Sequence, residues 1–146
     1  ISQTYLDVAR HRFGGLADCR LLDISKTTAV NSIKTADVSV ISATLEHIQD
    51  FNIALQNIFS KTRKMVLIRT FVGENSLSDF CLTEGAQETY LIRQFRLSDI
   101  SQNPAALGWD LQVIPDLATS GESKPVCNDN TVFRRQSILL FEKNDE

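Results

Sequence analysis

The stretch Ala36-Asp-Val-Ser-Val-Ile-Ser-Ala-Thr-Leu-Glu-His-Ile-Gln-Asp50 decides the fold. Val38 to Ile41 is short, apolar and β-branched, the pattern of a parallel strand covered on both faces, with Ser39 tolerated inside it. The run breaks at three small residues, Ser42-Ala43-Thr44, and continues as Leu45-Glu46-His47-Ile48. Phe51, Ala54, Leu55, Ile58 and Phe59 then recur at helical spacing and predict a helix from Phe51 to Ser60. Asp50 is placed to cap it, because a carboxylate accepts the free N–H groups of a first turn. Met65 to Ile68 is a second apolar run. Strand, loop, helix and strand in that order make half of a doubly wound α/β domain, where ligands sit beyond the carboxyl ends of the strands. Ser42 to His47 occupies that place.

The flanks extend the pattern. Tyr5, Leu6, Val8, Ala9 and Phe13 line one side of a helix that Gly14-Gly15 ends. Arg20 to Leu22 reads as a short buried strand, with Cys19 a small core residue and Asp23 at its tip. Ser25 to Thr35 suits a short helix or a loop. Asn75 to Thr89, rich in turn formers and acids, reads as a loop with a short helix, able to cover a site. Ser98 resembles an N-cap, Ile100 to Leu107 a helix, and Gly108 its C′ residue. Trp109 to Ile114 is a strand closed by Pro115. An exposed connector over 118–130 leads to the last strand, Ser137 to Phe141, antiparallel to Leu111–Ile114. The alternation predicts a mostly parallel sheet with helices on both faces and a C-terminal antiparallel hairpin.

A chain of 146 residues fits a single domain over 1–146, and 42% apolar residues are enough to form its core. Charges are interspersed and sum to -3, unlike the clustered Lys and Arg of a nucleic-acid surface. The longest basic cluster, Lys61, Arg63 and Lys64, falls at a helix C-terminus, where cations complement the dipole. No apolar stretch approaches the roughly 18 residues of a membrane span. Cys19, Cys81 and Cys127 are odd in number and form no C-x-x-C, so neither a disulfide framework nor a zinc site is expected. Reduced thiols and a cytoplasmic setting follow.

The same residues resemble a family. DVSVISATLEHIQDFNIALQNIF, continued by MVLIRTF, resembles the middle of a class I S-adenosylmethionine-dependent methyltransferase of the small-molecule type. In that family the fourth strand runs into an LEH turn, then a helix, then the fifth strand. ISQTYLDVARHRF, Ile1 to Phe13, resembles the helix after the second strand. ADCRLLDI, Ala17 to Ile24, resembles the third strand with its terminal acid. YLIRQFRLSDIS, Tyr90 to Ser101, with Ala106-Leu-Gly-Trp109, resembles the helix and glycine before the final hairpin. The resemblance covers nearly the whole chain and implies a Rossmann-like fold. It departs at one point. No G-x-G pair occurs among the six glycines, so the cofactor-binding first loop has no counterpart. The acidic residue that ends the family's second strand would fall just before Ile1. The chain is therefore expected to be N-terminally incomplete; a divergent member that needs no such loop is the alternative. Of the family's seven strands, five are expected here.

The resemblance implies methyl transfer from S-adenosylmethionine to a small-molecule or metabolite acceptor. It places Asp23 at the adenine amino group and Ile24 on the adenine ring. It lays Ser42, Ala43 and Thr44 along the cofactor's methionine part. His47 is the candidate general base, since imidazole titrates near neutral pH; the alternative is a structural histidine in its turn. His11 reads as surface. Arg69, Glu74, Tyr90 and Arg93 would line the acceptor pocket, the arginines pairing with a carboxylate or phosphate. No metal ligands are read in the sequence, and displacement at a sulfonium methyl releases a neutral leaving group that needs no acid. A nucleotide-binding oxidoreductase lacks its G-x-G-x-x-G here. A non-catalytic domain that keeps the winding stays open.

Overall fold

The two apolar runs meet as parallel neighbours. β1 (Ala36–Ser42) lies beside β2 (Thr62–Gly73) with Ser39 opposite Val66, Ile41 opposite Ile68 and Ser42 opposite Arg69. Between them the chain turns through a 3-10 segment at Leu45–His47 and crosses in a helix over Phe51–Ser60. The computed structural model describes residues 3–82, 89–119, 124–126 and 129–144. Around that crossover, α1 is Gln3–Phe13, α2 Thr27–Asn31, α3 Phe51–Ser60 and α4 Leu97–Ala106. β3 is Leu77–Leu82, β4 Thr89–Arg96, β5 Trp109–Pro115, β6 Lys124–Val126 and β7 Asp129–Lys143.

The sheet is mixed. β2 has β1 parallel on one side and β7 antiparallel on the other, and β5 closes the far edge antiparallel to β7, with Leu111 opposite Phe141. At 12 residues, β2 outlasts β1, and its end pairs instead with β4, Val72 opposite Phe95. β3 completes an antiparallel hairpin with β4.

Period-two alternation puts Val66, Ile68 and Thr70 of β2 on one face, all buried, beside Ile41, Leu139 and Phe141. The apolar stripe of α3 (Ala54, Leu55, Ile58 and Phe59) covers that face. The Phe59 ring meets Trp109 and Phe141 edge-on at 5.1 and 5.0 Å. Ser39 is accommodated by a 2.6 Å hydroxyl pair with Thr62. On the opposite face Val38 and Val40 are 49% and 65% exposed, so β1 is covered on one side among the described residues. Gly108 ends α4 at φ 76°, a left-handed position that a glycine adopts without strain.

Several expectations are corrected. Arg20–Leu22 forms no strand and Leu21 is 58% exposed; the segment has no ladder partner among the described residues, and an extended run without one gains nothing from its β-propensity. Cys19 is accordingly half-buried in an irregular segment. Asp50 precedes α3 but makes no side-chain cap; its backbone carbonyl accepts from Ala54 instead. The expected covering loop over 75–89 contains β3, and 83–88 fall outside the described residues. Tyr90–Arg96 is strand rather than helix. Ser98 sits inside α4; Asp99 serves the helix start, accepting from the Arg96 backbone N–H at 3.2 Å. The 118–130 connector includes β6, paired with β7. Cys81 is disulfide-bonded, which removes the reduced-thiol argument; Cys127 lies outside the described residues.

Candidate functional site

β1 ends where the backbone is most unusual. Ala43 has φ 49°, the only positive φ at a non-glycine among the described residues. Left-handed backbone costs an L-residue about 1–2 kcal/mol, and such outliers gather at functional sites. The turn is held by the Ala43 N–H donating to the Arg69 carbonyl at 3.0 Å and by Thr44 Oγ1 donating to the Ser42 carbonyl at 2.9 Å. Ser42, Ala43 and Thr44 are thus brought together beside Arg69, exposed at the carboxyl end of β1.

Asp23 and Ile24 approach the same core. Ile24 packs against the cluster that contains Ile41 and Leu45, and its carbonyl accepts 2.9 Å from Asn57 Nδ2 on α3. Asn57 is buried and was not anticipated as a site-positioning residue. Asp23 Oδ1 accepts from the Ser25 hydroxyl at 2.6 Å and the Ser25 N–H at 3.0 Å, closing an Asx turn. Those two bonds, with Lys26 3.7 Å from Oδ2, hold the Asp23 carboxyl below its ordinary range. Oδ2 therefore remains a carboxylate oxygen with spare acceptor capacity at neutral pH.

His47 forms a second group with β4. Its Nδ1 lies 2.6 Å from the Leu91 carbonyl oxygen. A carbonyl only accepts, so Nδ1 carries a hydrogen, and in the neutral imidazole Nε2 is the nitrogen with the lone pair. The Tyr90 ring meets the imidazole edge-on at 5.5 Å. Arg93 lies against the same turn. Its Nη1 donates to the Ile48 carbonyl at 2.8 Å and its Nε to Ser78 Oγ at 2.9 Å, while the guanidinium stacks 4.8 Å over Phe51. Burial pulls Arg93 below the ordinary guanidinium value, and Asp50 opposes that. Beside His47, Glu46 is wholly buried, accepting from Thr70 Oγ1 at 3.0 Å.

Arg69 is engaged by acceptors of the chain itself. Nε donates to Asp116 Oδ2 at 2.8 Å and Nη2 to Gln136 Oε1 at 2.5 Å. Asp116 is 2% exposed and was not anticipated. Glu74 stands apart, exposed in the bend between β2 and β3. His11 is exposed on α1. Open hollows of about 740 and 480 Å³ lie around Gly14–Arg20 and between Leu22 and Ile33, away from Ala43 and His47. Their walls carry no histidine and not the Ala43 turn, although Leu22, which precedes Asp23, lines the second. Among the described residues, no helix is long and apolar enough to cross a membrane.

Comparison with known proteins gives matches in structure alone: no protein-family model and no curated protein sequence matches the chain. The glycopeptide N-methyltransferase MtfA complexed with S-adenosyl-L-homocysteine superposes with TM-score 0.61 at 12% identity, over 99% of this chain and 71% of that one. MtfA complexed with S-adenosyl-L-methionine gives 0.57 at 12% identity, over 99% and 75%. Magnesium protoporphyrin IX methyltransferase (ChlM) from Synechocystis PCC 6803, with bound S-adenosylmethionine, gives 0.53 at 10% identity, over 99% of this chain and 57% of its own. The chain thus spans a little over half the length of ChlM and about three quarters of MtfA. These superpositions show that the chain has the fold of the class I S-adenosylmethionine-dependent methyltransferases.

Proposed function

We propose that this chain is part of an S-adenosylmethionine-dependent methyltransferase acting on a small-molecule or metabolite acceptor. The observation that carries the reading is the strained Ala43 turn at the carboxyl end of β1, on a core shared with Ile24. The residues fit the cofactor. Asp23 Oδ2 can accept from an adenine amino group, and Ile24, packed on the Ile41 cluster, offers an aliphatic surface to a ring. Small side chains at Ser42, Ala43 and Thr44 let the backbone approach a ligand closely. Bound S-adenosylmethionine would supply an activated methyl on a sulfonium.

The chain's own contribution is then placement and one proton. Orienting two reactants can remove roughly 7–11 kcal/mol from a barrier, so few catalytic groups are required. His47, with Nδ1–H committed to Leu91, presents Nε2 to take a proton from an attacking oxygen or nitrogen. Tyr90, whose ring meets the imidazole edge-on, is the residue we assign to the acceptor's side of His47. Arg69 contributes as a fixed cation beside Ser42, already paired with Asp116; Glu74, exposed in the bend after β2, stands apart from this group. Calorimetric titration of the full-length protein with S-adenosylmethionine and, separately, NAD tests the reading. Binding of the first alone is expected; no heat with S-adenosylmethionine overturns it.

A further inference from the structure

β4 grips the turn that carries His47 at three positions, through the backbone of Leu91 and the side chains of Arg93 and Phe95. Leu91 accepts the imidazole Nδ1–H through its carbonyl at 2.6 Å. Arg93 Nη1 donates to the carbonyls of Ile48 at 2.8 Å and Gln49 at 3.4 Å, the two residues that follow His47. Phe95 packs its ring 4.9 Å from that of Phe51, the first residue of α3. The Arg93 guanidinium lies between these groups, 4.8 Å over the Phe51 ring and 5.8 Å over Phe95, with Nε tied to Ser78 Oγ on β3. An arginine so stacked and forked fixes direction as well as distance, which a lysine ammonium cannot do. Residues 47–51 are therefore indexed to β4, and the imidazole tautomer depends on that index.

We propose that Arg93 is a positioning residue for His47: by holding the Ile48 and Gln49 carbonyls it keeps Nδ1–H on Leu91 and leaves Nε2 as the proton acceptor. The proposal rests on reading His47 as the base. It gives Arg93 a different part from direct pairing with an acceptor anion, because the guanidinium is already bonded to backbone and stacked on rings.

The test is nitrogen-15 NMR of the imidazoles in the full-length protein, with His47→Gln assigning the resonance. The wild type is expected to show Nδ1 protonated and Nε2 unprotonated. In Arg93→Ala the two ring nitrogens should move toward the averaged shifts of a free imidazole. Its kcat should fall on the order of tenfold to a hundredfold, the scale for a misplaced group. Its dissociation constant for S-adenosylmethionine should stay within about twofold, as for an interaction outside ground-state binding. Arg93→Lys, which keeps the stem and the charge, should be impaired in the same two readouts. A wild-type His47 with its proton on Nε2 overturns the proposal whatever the variants do. So does an Arg93→Lys or Arg93→Ala protein with unchanged ring shifts and kcat. Absence of S-adenosylmethionine binding by the wild type would sink the methyltransferase reading instead, and the tautomer measurement would stand apart from it.

Discussion

Asp116→Asn isolates the pair that fixes Arg69. The carboxylate is 2% exposed, its Oδ2 takes Arg69 Nε at 2.8 Å and its Oδ1 takes the Ala118 N–H at 3.0 Å. Asparagine keeps the shape but has one acceptor oxygen, so one of these donors loses its partner. An orphaned buried donor costs about 1–3 kcal/mol. Breaking a fully buried ion pair costs about 3–5 kcal/mol. Arg69 is 25% exposed and still bonded to Gln136, so water and that amide relieve part of the loss. The expected destabilisation is about 2 kcal/mol, the middle of the first range and below the second. Urea unfolding reads it: with a slope of about 1–3 kcal/mol per molar, the midpoint should drop by about 1 M. Asp37→Asn is the internal control, because its pair with Arg63 is 51% and 60% exposed and surface pairs contribute about 0–1 kcal/mol. Equal, small losses from both variants would refute the reasoning, since the Arg69 pair would then be as screened as a surface one.

Other outcomes follow from single contacts. Phe59→Ala removes a ring in edge contact with both Trp109 and Phe141 and should cost about 3–5 kcal/mol, read as a lowered unfolding midpoint. Ala43→Gly should be neutral or stabilising by up to about 1 kcal/mol, and Ala43→Val destabilising by about 1–2 kcal/mol, since a β-branched residue resists φ 49°. A large loss from the glycine variant would show that the left-handed turn is not the native one. Asp23→Ala should weaken S-adenosylmethionine about tenfold to a hundredfold in calorimetry, the scale of a lost polar partner. The Asp23 carboxyl should titrate below 3.8 by NMR. Because its folded value is depressed, its contribution to the 23–26 turn is present at neutral pH and fades as pH falls through that lowered value. A midpoint at or above 3.8 would contradict the Ser25 bonds.

The elements read correctly from sequence are those whose periodicity reports their own burial. The α3 stripe from Phe51 to Phe59 and the Leu111–Phe141 pairing each show a pattern that a single neighbour explains; Val38–Ile41 was legible as a strand but not in its burial, since Val38 and Val40 are exposed. Tyr90–Arg96 misleads because Leu91 and Phe95 are also spaced for a helix. The strand is chosen by remote ladders, to β3 at Leu77–Leu82 and to the end of β2 at Val72. Arg20–Leu22 has strand composition but no edge to join among the described residues. In the site, Ala43 and His47 were legible as chain positions beyond the end of β1, whereas Asp23 was read at the tip of a strand that does not form. Glu46 was legible only in the structural reading of the LEH turn, and Asn57 and Asp116 were not legible, because a polar residue looks like a surface residue until its partner is known. Asn57 carried one faint signal: it falls beside Ala54 and Ile58 on the buried side of α3.

The most direct measurement is a crystal structure of the full-length protein with S-adenosylhomocysteine. The account predicts the nucleoside between Ile24 and the Ala43 turn, with the adenine amino group within hydrogen-bond reach of Asp23 Oδ2. A nucleoside bound at the other end of β1, by Ala36 and Lys61, would contradict it.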